Sequence, residues 1–130
     1  MAHGWVDHIE QATKHNETFR TALFTGKHAQ LTVMSLAPGE EIGNEVHEHN
    51  DQMIRVEQGA AKVTLGPDEH TVAEEHELAA GWAAIVPAGT WHNVINLGDD
   101  ELKLSSLYAP PEHPAGTVHR TKAEADAAEA

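Results

Sequence analysis

The segment from Gly81 to Asn96 constrains the fold more than any other part of this sequence. It reads GWAAIVPAGTWHNVIN, in which a glycine ends one turn and Pro87-Ala-Gly89 forces a second turn shortly before His92. Ala83 to Val86 has the length of a short strand between these turns. His92 then opens the next strand, where successive side chains alternate between the two faces. The segment therefore predicts a β-hairpin that presents one imidazole on a single side of a sheet.

The remainder of the chain is organised almost entirely as strands and turns. Short runs of β-branched and large apolar residues at roughly 8- to 12-residue spacing, separated by Gly and Pro, favour a sandwich or barrel. Helical turns are predicted only near the ends, over Asp7 to His15 and after Thr121, which has capping-box spacing to Glu124. The predicted strands are Thr18 to Phe24, Gln30 to Leu36, Ile42 to Glu48, Gln52 to Gln58, Ala61 to Leu65, Ala83 to Val86, His92 to Leu97 and Leu102 to Tyr108.

Composition narrows the classes of function. The chain has 130 residues and no cysteine, which predicts a single domain whose metal ligands, if any, are nitrogen and oxygen atoms. Its net charge of −13, from 21 acidic against 8 basic residues, argues against a nucleic-acid partner. No apolar run approaches the roughly 20 residues needed to span a bilayer, and the N-terminus lacks a basic segment followed by an apolar one. These features predict a cytoplasmic protein with no membrane partner.

The spacing of Gly81, Pro87, Gly89, His92 and Asn96 resembles the second conserved motif of the cupin superfamily at all five fixed positions. The resemblance implies an all-β fold, a single-domain cupin β-barrel of the jelly-roll, double-stranded β-helix type with short terminal helical segments. It implies one domain over 1–130, with a barrel core at about 16–109 and a C-terminal crossing and short helix over 110–130. The crossing and the tail after it resemble small cupins grouped with mannose-6-phosphate isomerases.

The first cupin motif implies the remaining metal ligands, but its register is ambiguous here. Counting on from Gly39 places Glu45 and His47 where the family has two histidines, and Gln52 takes the place of its glutamate. The resemblance then implies a metal held by Glu45, His47, Gln52 and His92. Alternatively, the visible pair of His47 and His49 points inward and the gap to Gln52 is shortened.

Strand geometry favours the first register. Glu45, His47 and His49 have the same parity, whereas Gln52 has the opposite parity and needs a turn before it. Glu48-His49-Asn50-Asp51 supplies residues suited to such a turn. His49 would then lie at the cavity rim, as a substitute ligand, a proton carrier or a solvated turn residue.

The resemblance implies one divalent transition metal, Mn, Fe, Zn or Ni, because the ligand set mixes imidazole nitrogen with hard oxygen. Such an ion can act as a Lewis acid on a small molecule, which suits an isomerase or lyase acting on a carbohydrate-like or hydroxy- or keto-acid substrate. His49 and His113 are the candidate general bases. Arg20 and Arg55 are the candidate partners of a substrate carboxylate or phosphate.

Two other functions stay open at this point. Glu45, His47 and His92 would also form the two-histidine, one-carboxylate set of Fe(II) oxygenases, which makes a dioxygenase the main competitor. A cupin that only binds a sugar or another small ligand would need no base. Small cupins commonly pair, so the resemblance also implies a homodimer, in which the strand Thr18 to Phe24 could extend a partner's sheet.

Overall fold

Residues 3–129 form nine β-strands and two short helices in the computed structural model. Met1, Ala2 and Ala130, which belong to the predicted domain 1–130, lie outside the described residues. The elements are α1 (Ile9–His15), β1 (Arg20–Thr25), β2 (Gln30–Leu36), β3 (Asp51–Gln58), β4 (Ala61–Gly66), β5 (Glu74–Leu78), β6 (Ala83–Val86), β7 (Trp91–Asn96), β8 (Leu102–Ala109), β9 (Val118–His119) and α2 (Lys122–Glu129).

The strands form two antiparallel sheets that pack face to face. One sheet has six strands in the order β6-β3-β8-β2-β1-β9, and the other has three in the order β5-β4-β7. The main hydrophobic cluster joins residues from both sheets, including Ile54 and Leu104 from the larger and Val63 and Val94 from the smaller. The prediction of an all-β barrel with short terminal helices is therefore confirmed.

One half of the barrel interior is aliphatic. Strand pairing aligns β2 with β8 and β8 with β3, and directly opposed residues point to the same side of the sheet. The inward residues at this end are fully or almost fully buried, so they form a sealed core that does not depend on the candidate ligands. They are Met34, Leu36, Ile54, Val56, Leu102 and Leu104.

The other half of the interior is polar, on the same strands and the same face. Gln30, Tyr108 and Gln52 lie side by side across β2, β8 and β3, and Thr32 lies opposite Ser106 in the neighbouring row. All five are buried. On the smaller sheet, Val94 is opposite Val63 in the aliphatic core, and His92, two residues earlier, lies towards the polar half. The polar half therefore holds the residues of the candidate site.

The strand predicted over Ile42 to Glu48 is wrong, and two strands were missed. Glu45 in this stretch and Glu41 just before it make only isolated bridges to β7, because Gly43 has φ of 104° and interrupts the extended backbone. β5 was missed because its residues Glu74 to Glu77 are exposed and charged, without the alternation that marks a half-buried strand. The short β9 pairs with Arg20 and Thr21 of β1, so this chain itself covers part of the predicted dimerisation strand.

Both helices match the regions predicted for them. In α2, Thr121 Oγ1 accepts from the Glu124 amide at 3.2 Å, and the Glu124 carboxylate accepts from the Thr121 amide at 3.2 Å. This reciprocal pair is the predicted capping box, and the buried Ala125 docks the helix on the core. Neither helix is long and apolar enough to cross a membrane.

A close backbone approach at the end of β4 gives the first testable prediction. Gly66 lies opposite Trp91, the residue before His92, and a Cβ on Gly66 would lie 1.7 Å from the Thr71 carbonyl oxygen. We expect Gly66→Ala to lower the free energy of unfolding by about 1–3 kcal/mol or more, because the backbone must shift to admit the methyl group.

Gly98→Ala is the matched control for this substitution. Its Cβ would meet only Asn96 Oδ1, at 3.6 Å, and Asp100 N, at 3.9 Å. Denaturant titration of both variants measures the difference. Equal stabilities of the two variants would contradict the close approach.

Candidate metal centre

Glu45, His47 and His92 meet at the polar end of the barrel. One ligand atom from each side chain lies within 4.8 Å of the others. Glu45 Oε1 is 3.3 Å from His47 Nε2 and 3.6 Å from His92 Nε2. Three donors of the types that transition metals bind thus converge on one point, as the first of the two sequence registers predicts.

Backbone hydrogen bonds explain why these side chains meet without a continuous strand. The Glu45 amide donates to the His92 carbonyl at 2.9 Å, and the His92 amide donates to the Glu45 carbonyl at 2.8 Å. The Gly89 amide donates to the His47 carbonyl at 2.9 Å. Gly89 has φ of 82°, a conformation that a non-glycine residue rarely adopts, so the predicted turn before β7 also anchors the segment that carries His47.

Both imidazoles are oriented by an acceptor on Nδ1. His92 Nδ1 lies 3.0 Å from the Thr90 carbonyl oxygen, and His47 Nδ1 lies 3.2 Å from Glu112 Oε2. Because neither acceptor can donate, Nδ1 of each ring is a donor, and the neutral ring, with no proton on Nε2, is the form that can bind a metal ion. Both Nε2 atoms are buried without a hydrogen-bond partner. This is the state in which histidine binds a metal.

Gln52 lies in the same polar half, with its amide oriented by two neighbours. Its Nε2 donates to Ser106 Oγ at 3.1 Å and to Tyr108 Oη at 3.2 Å. Its Oε1 is consequently left as an acceptor, buried and without a partner. An orphaned amide oxygen fits the role of the oxygen ligand that the motif spacing assigns to Gln52.

The electrostatics keep the carboxylate of the cluster ionised. Burial alone would raise the pKa of Glu45, but the imidazoles of His47 and His92 outweigh it and lower this pKa to about 2. For His47, burial would lower the pKa, yet the carboxylates of Glu45 and Glu112 raise it above its usual value. A metal ion binding here must therefore compete with a proton on His47.

Tyr108 and His113 extend the site away from the three ligands. The Tyr108 ring makes edge contacts with His47, at 5.5 Å between centroids, and with His113, at 5.3 Å. Burial is the main cause that raises the pKa of Tyr108 and lowers that of His113 to about 4. Near neutral pH the site thus holds a protonated phenol beside a neutral imidazole, whose Nε2 has no partner.

The other predicted site residues lie elsewhere. His49 is exposed in the turn before β3 and does not belong to the cluster. Arg55 projects to the outer face of the larger sheet, since it lies opposite Ser105, and it pairs with Glu57. Arg20 is buried, not on the surface, at 2% exposure.

Glu112 and Gln30 also support the candidate site, and neither was predicted from the sequence. Gln30 Oε1 accepts from the Glu112 amide at 3.1 Å and the His113 amide at 2.9 Å, while its Nε2 donates to the His113 carbonyl at 2.8 Å. This buried amide fixes the C-terminal crossing on the barrel and places Glu112 beside His47. These contacts join residues more than 80 positions apart in the sequence, so no local sequence pattern predicts them.

Comparison with known proteins identifies the family. The Cupin domain model matches residues 32–108. The chain is 55% identical over 125 residues to the uncharacterized protein YrkC of Bacillus subtilis (strain 168), covering 96% of this chain and 67% of YrkC. It is 40% identical over 115 residues to the uncharacterized protein L612 of Acanthamoeba polyphaga mimivirus, covering 88% of this chain and 70% of L612. The chain belongs to the cupin family.

A solved structure agrees over almost the whole chain. The crystal structure of BH2720 from Bacillus halodurans superposes with a TM-score of 0.93 at 51% identity, covering 95% of this chain and 93% of that one. The predicted superfamily is confirmed, whereas the narrower likeness to mannose-6-phosphate isomerases stays a prediction.

The carboxylate behind His47 gives the second testable prediction. We expect Glu112→Gln to weaken metal binding about 10- to 100-fold, because a group that orients a ligating histidine contributes about that much to affinity. Competition titration against a chelator measures it. Glu77→Gln, which removes the same charge from an exposed position on β5, should leave affinity unchanged. Equal affinities of the two variants would show that Glu112 does not support His47.

Proposed function

We propose that this cupin is a metal-dependent enzyme of small molecules, an isomerase or lyase acting on a carbohydrate-like or hydroxy- or keto-acid substrate. In this proposal Glu45, His47, His92 and the Gln52 amide oxygen hold one divalent transition ion, Mn, Fe, Zn or Ni. The observation that carries it is the pair of buried imidazoles whose Nδ1 atoms are engaged and whose Nε2 atoms, beside an ionised carboxylate, have no partner.

The donor set fits such an ion. Two neutral imidazoles, one carboxylate and one amide oxygen match the ligand preferences of first-row divalent metals, and no cysteine is present to compete. When bound, the ion would supply Lewis-acid polarisation of a carbonyl or hydroxyl oxygen. The protein's part is to fix the ligands and to keep Glu45 anionic.

Tyr108 and His113 are the groups we assign to proton transfer. Tyr108 Oη accepts from Gln52 and keeps its own proton, because burial raises its pKa. His113 stays neutral, because burial lowers its pKa to about 4, and its unpartnered Nε2 can accept a proton. An isomerisation or elimination needs a base and an acid on the same substrate. His49, exposed in its turn, is a less suitable base.

A dioxygenase is the second candidate function. Glu45, His47 and His92 make up a two-histidine, one-carboxylate set, which is the ligand type of non-haem Fe(II) oxygenases. A cupin that only binds a small ligand would use the same ligands without the proton-transfer groups. The predicted homodimer and the cytoplasmic location remain predictions.

Single substitutions in the metal cluster give the third testable prediction. Glu45→Ala should weaken metal binding about 10- to 100-fold or more, since it removes an anionic ligand, and even the loss of a supporting group costs this much. His92→Ala should lower metal binding while the aliphatic half of the barrel stays folded. His49→Ala should leave affinity unchanged, because His49 lies outside the cluster.

Chelator competition in one buffer compares these variants, and circular dichroism checks their folding. Loss of binding in His49→Ala with full binding in Glu45→Ala would reverse the assignment. A full equivalent of metal bound to His92→Ala at unchanged affinity would remove the basis of the proposed site.

Metal content and oxygen uptake give the fourth prediction and separate the candidate functions. Elemental analysis of protein purified without an affinity tag should find close to one transition ion per chain. The isomerase or lyase proposal expects no oxygen consumption with candidate hydroxy- and keto-acids. Stoichiometric iron with substrate-dependent oxygen uptake would overturn it in favour of the dioxygenase.

A further inference from the structure

Arg20 is a buried cation without an anionic partner. It is 2% exposed, and its Nε has no hydrogen-bond partner. Its guanidinium makes one polar side-chain contact, from Nη1 to His119 Nδ1 at 3.4 Å. None of the ion pairs among residues 3–129 includes Arg20. A buried charge that stays unpaired is costly, so this position points to a ligand.

The strand register places Arg20 on the inner face of the barrel. It lies opposite Met34 of β2, whose side chain belongs to the core, and opposite His119 of β9 on its other side. Thr32 lies on the same face of β2, two residues from Met34, and its hydroxyl is also buried without a partner. The guanidinium carbon lies 5.5 Å from the centre of the Phe19 ring. The surroundings therefore offer a hydroxyl and an aromatic face, and no carboxylate among residues 3–129 forms an ion pair with Arg20.

The nearby carboxylates are already engaged. Glu45 pairs with both imidazoles of the metal cluster, and Glu112 pairs with His47. With a net charge of −13, the protein does not attract anions by its overall field, so an anion would be held only by local donors. A guanidinium is suited to this because its fork can bind a carboxylate or phosphate through two parallel hydrogen bonds.

We infer that Arg20, together with His119, binds an oxyanion, a carboxylate or phosphate group, on the substrate of this cupin. The inference rests on the proposed function for the identity of the molecule that bears the anion, but the anion site itself does not require the metal. His119 is partly exposed and belongs to a two-residue edge strand. An anion can therefore enter where the imidazole now contacts Nη1, and it would lie between the guanidinium of Arg20 and the imidazole of His119.

The position of Arg20 relative to the metal cluster supports one substrate spanning both. Arg20 lies opposite Met34, which pairs with Leu104 of β8, so Arg20 shares the inner face with Tyr108 four residues further along β8. Tyr108 contacts His113. Tyr108 also contacts His47. A substrate with its anionic group at Arg20 would thus present its other end to the metal cluster, past the two proton-transfer groups.

Titration of the metal-free protein with simple anions tests the inference. The probes are acetate and inorganic phosphate, with chloride at equal ionic strength as the reference, and the readout is the Nε–Hε signals of Arg20, Arg55 and Arg120 in ¹⁵N spectra. We expect the Arg20 signal to shift saturably with acetate or phosphate. Whichever probe saturates at lower concentration assigns the group as a carboxylate or a phosphate.

Three variants localise the effect. Arg20→Gln should weaken binding of the preferred anion about tenfold or more, because it removes charge-assisted hydrogen bonds. Arg20→Lys should retain part of the affinity, since the charge remains but the fork is lost. Arg120→Gln, the same charge change at an exposed neighbour of His119, should bind as the wild type does.

The outcomes are distinguishable from those of the metal proposal. The inference is supported if Arg20→Gln loses anion binding but keeps its metal affinity. It is also supported if the wild-type protein binds the anion at Arg20 but binds no metal. An Arg20 signal that does not respond to acetate or phosphate in the wild-type protein overturns it, even where metal binding holds. Because this measurement uses the wild-type protein, it does not depend on whether any variant folds.

Discussion

The central constraint in this barrel is the cost of burying polar atoms that have no partner. Such atoms lose their hydration without gaining a hydrogen bond, and each costs on the order of 1–3 kcal/mol. Among residues 3–129, six such atoms lie on the inner face or on segments packed against it, on Arg20, Thr32, His47, Gln52, His92 and His113. The same strands carry a sealed aliphatic core in the other half of the interior, and burial there offsets the cost. This division leaves the polar half of the interior as the candidate binding region.

The arrangement also fixes the orientation of the candidate ligands. The carbonyl of Thr90 and the carboxylate of Glu112 fix the two imidazole tautomers, and Ser106 and Tyr108 fix the Gln52 amide. The atoms that would face the metal contact only one another among the described residues, or, for Gln52 Oε1, have no partner. Preorganisation of this kind lowers the cost of binding an ion, because little reorientation remains to be done.

Local patterns in the sequence predict much of this site. The turn at Pro87 and Gly89 places His92 at the start of a strand. Motif spacing from Gly39, with the turn needed before Gln52, selects Glu45 and His47 over His49, so the three residues that meet in the candidate site follow from local patterns. The failure at Ile42 to Glu48 has a local cause too, since Gly43 breaks the strand while bridges to β7 keep the side chains in place. The predicted strand over Ile42 to Glu48 is not formed, but Glu45 and His47 from this segment still lie beside His92.

Residues that depend on distant partners could not be predicted. Glu112 reaches His47 only because Gln30 holds the C-terminal crossing, and Arg20 is buried only because β9 and the barrel interior cover it. Arg55 illustrates the opposite case, since it belongs to a correctly predicted strand but faces outward and pairs with Glu57. Parity identifies which residues share a face, but the long-range packing decides which face is the interior.

X-ray absorption at the metal edge is the most direct test of the central claim, that Glu45, His47, His92 and Gln52 surround one ion. Protein loaded with a single equivalent and freed of any affinity tag should give the scattering pattern of two imidazoles, with oxygen atoms completing the first shell. Three imidazoles would place His49 or another histidine in the shell and contradict the ligand assignment. A spectrum with no imidazole contribution would place the ion elsewhere on this acidic protein.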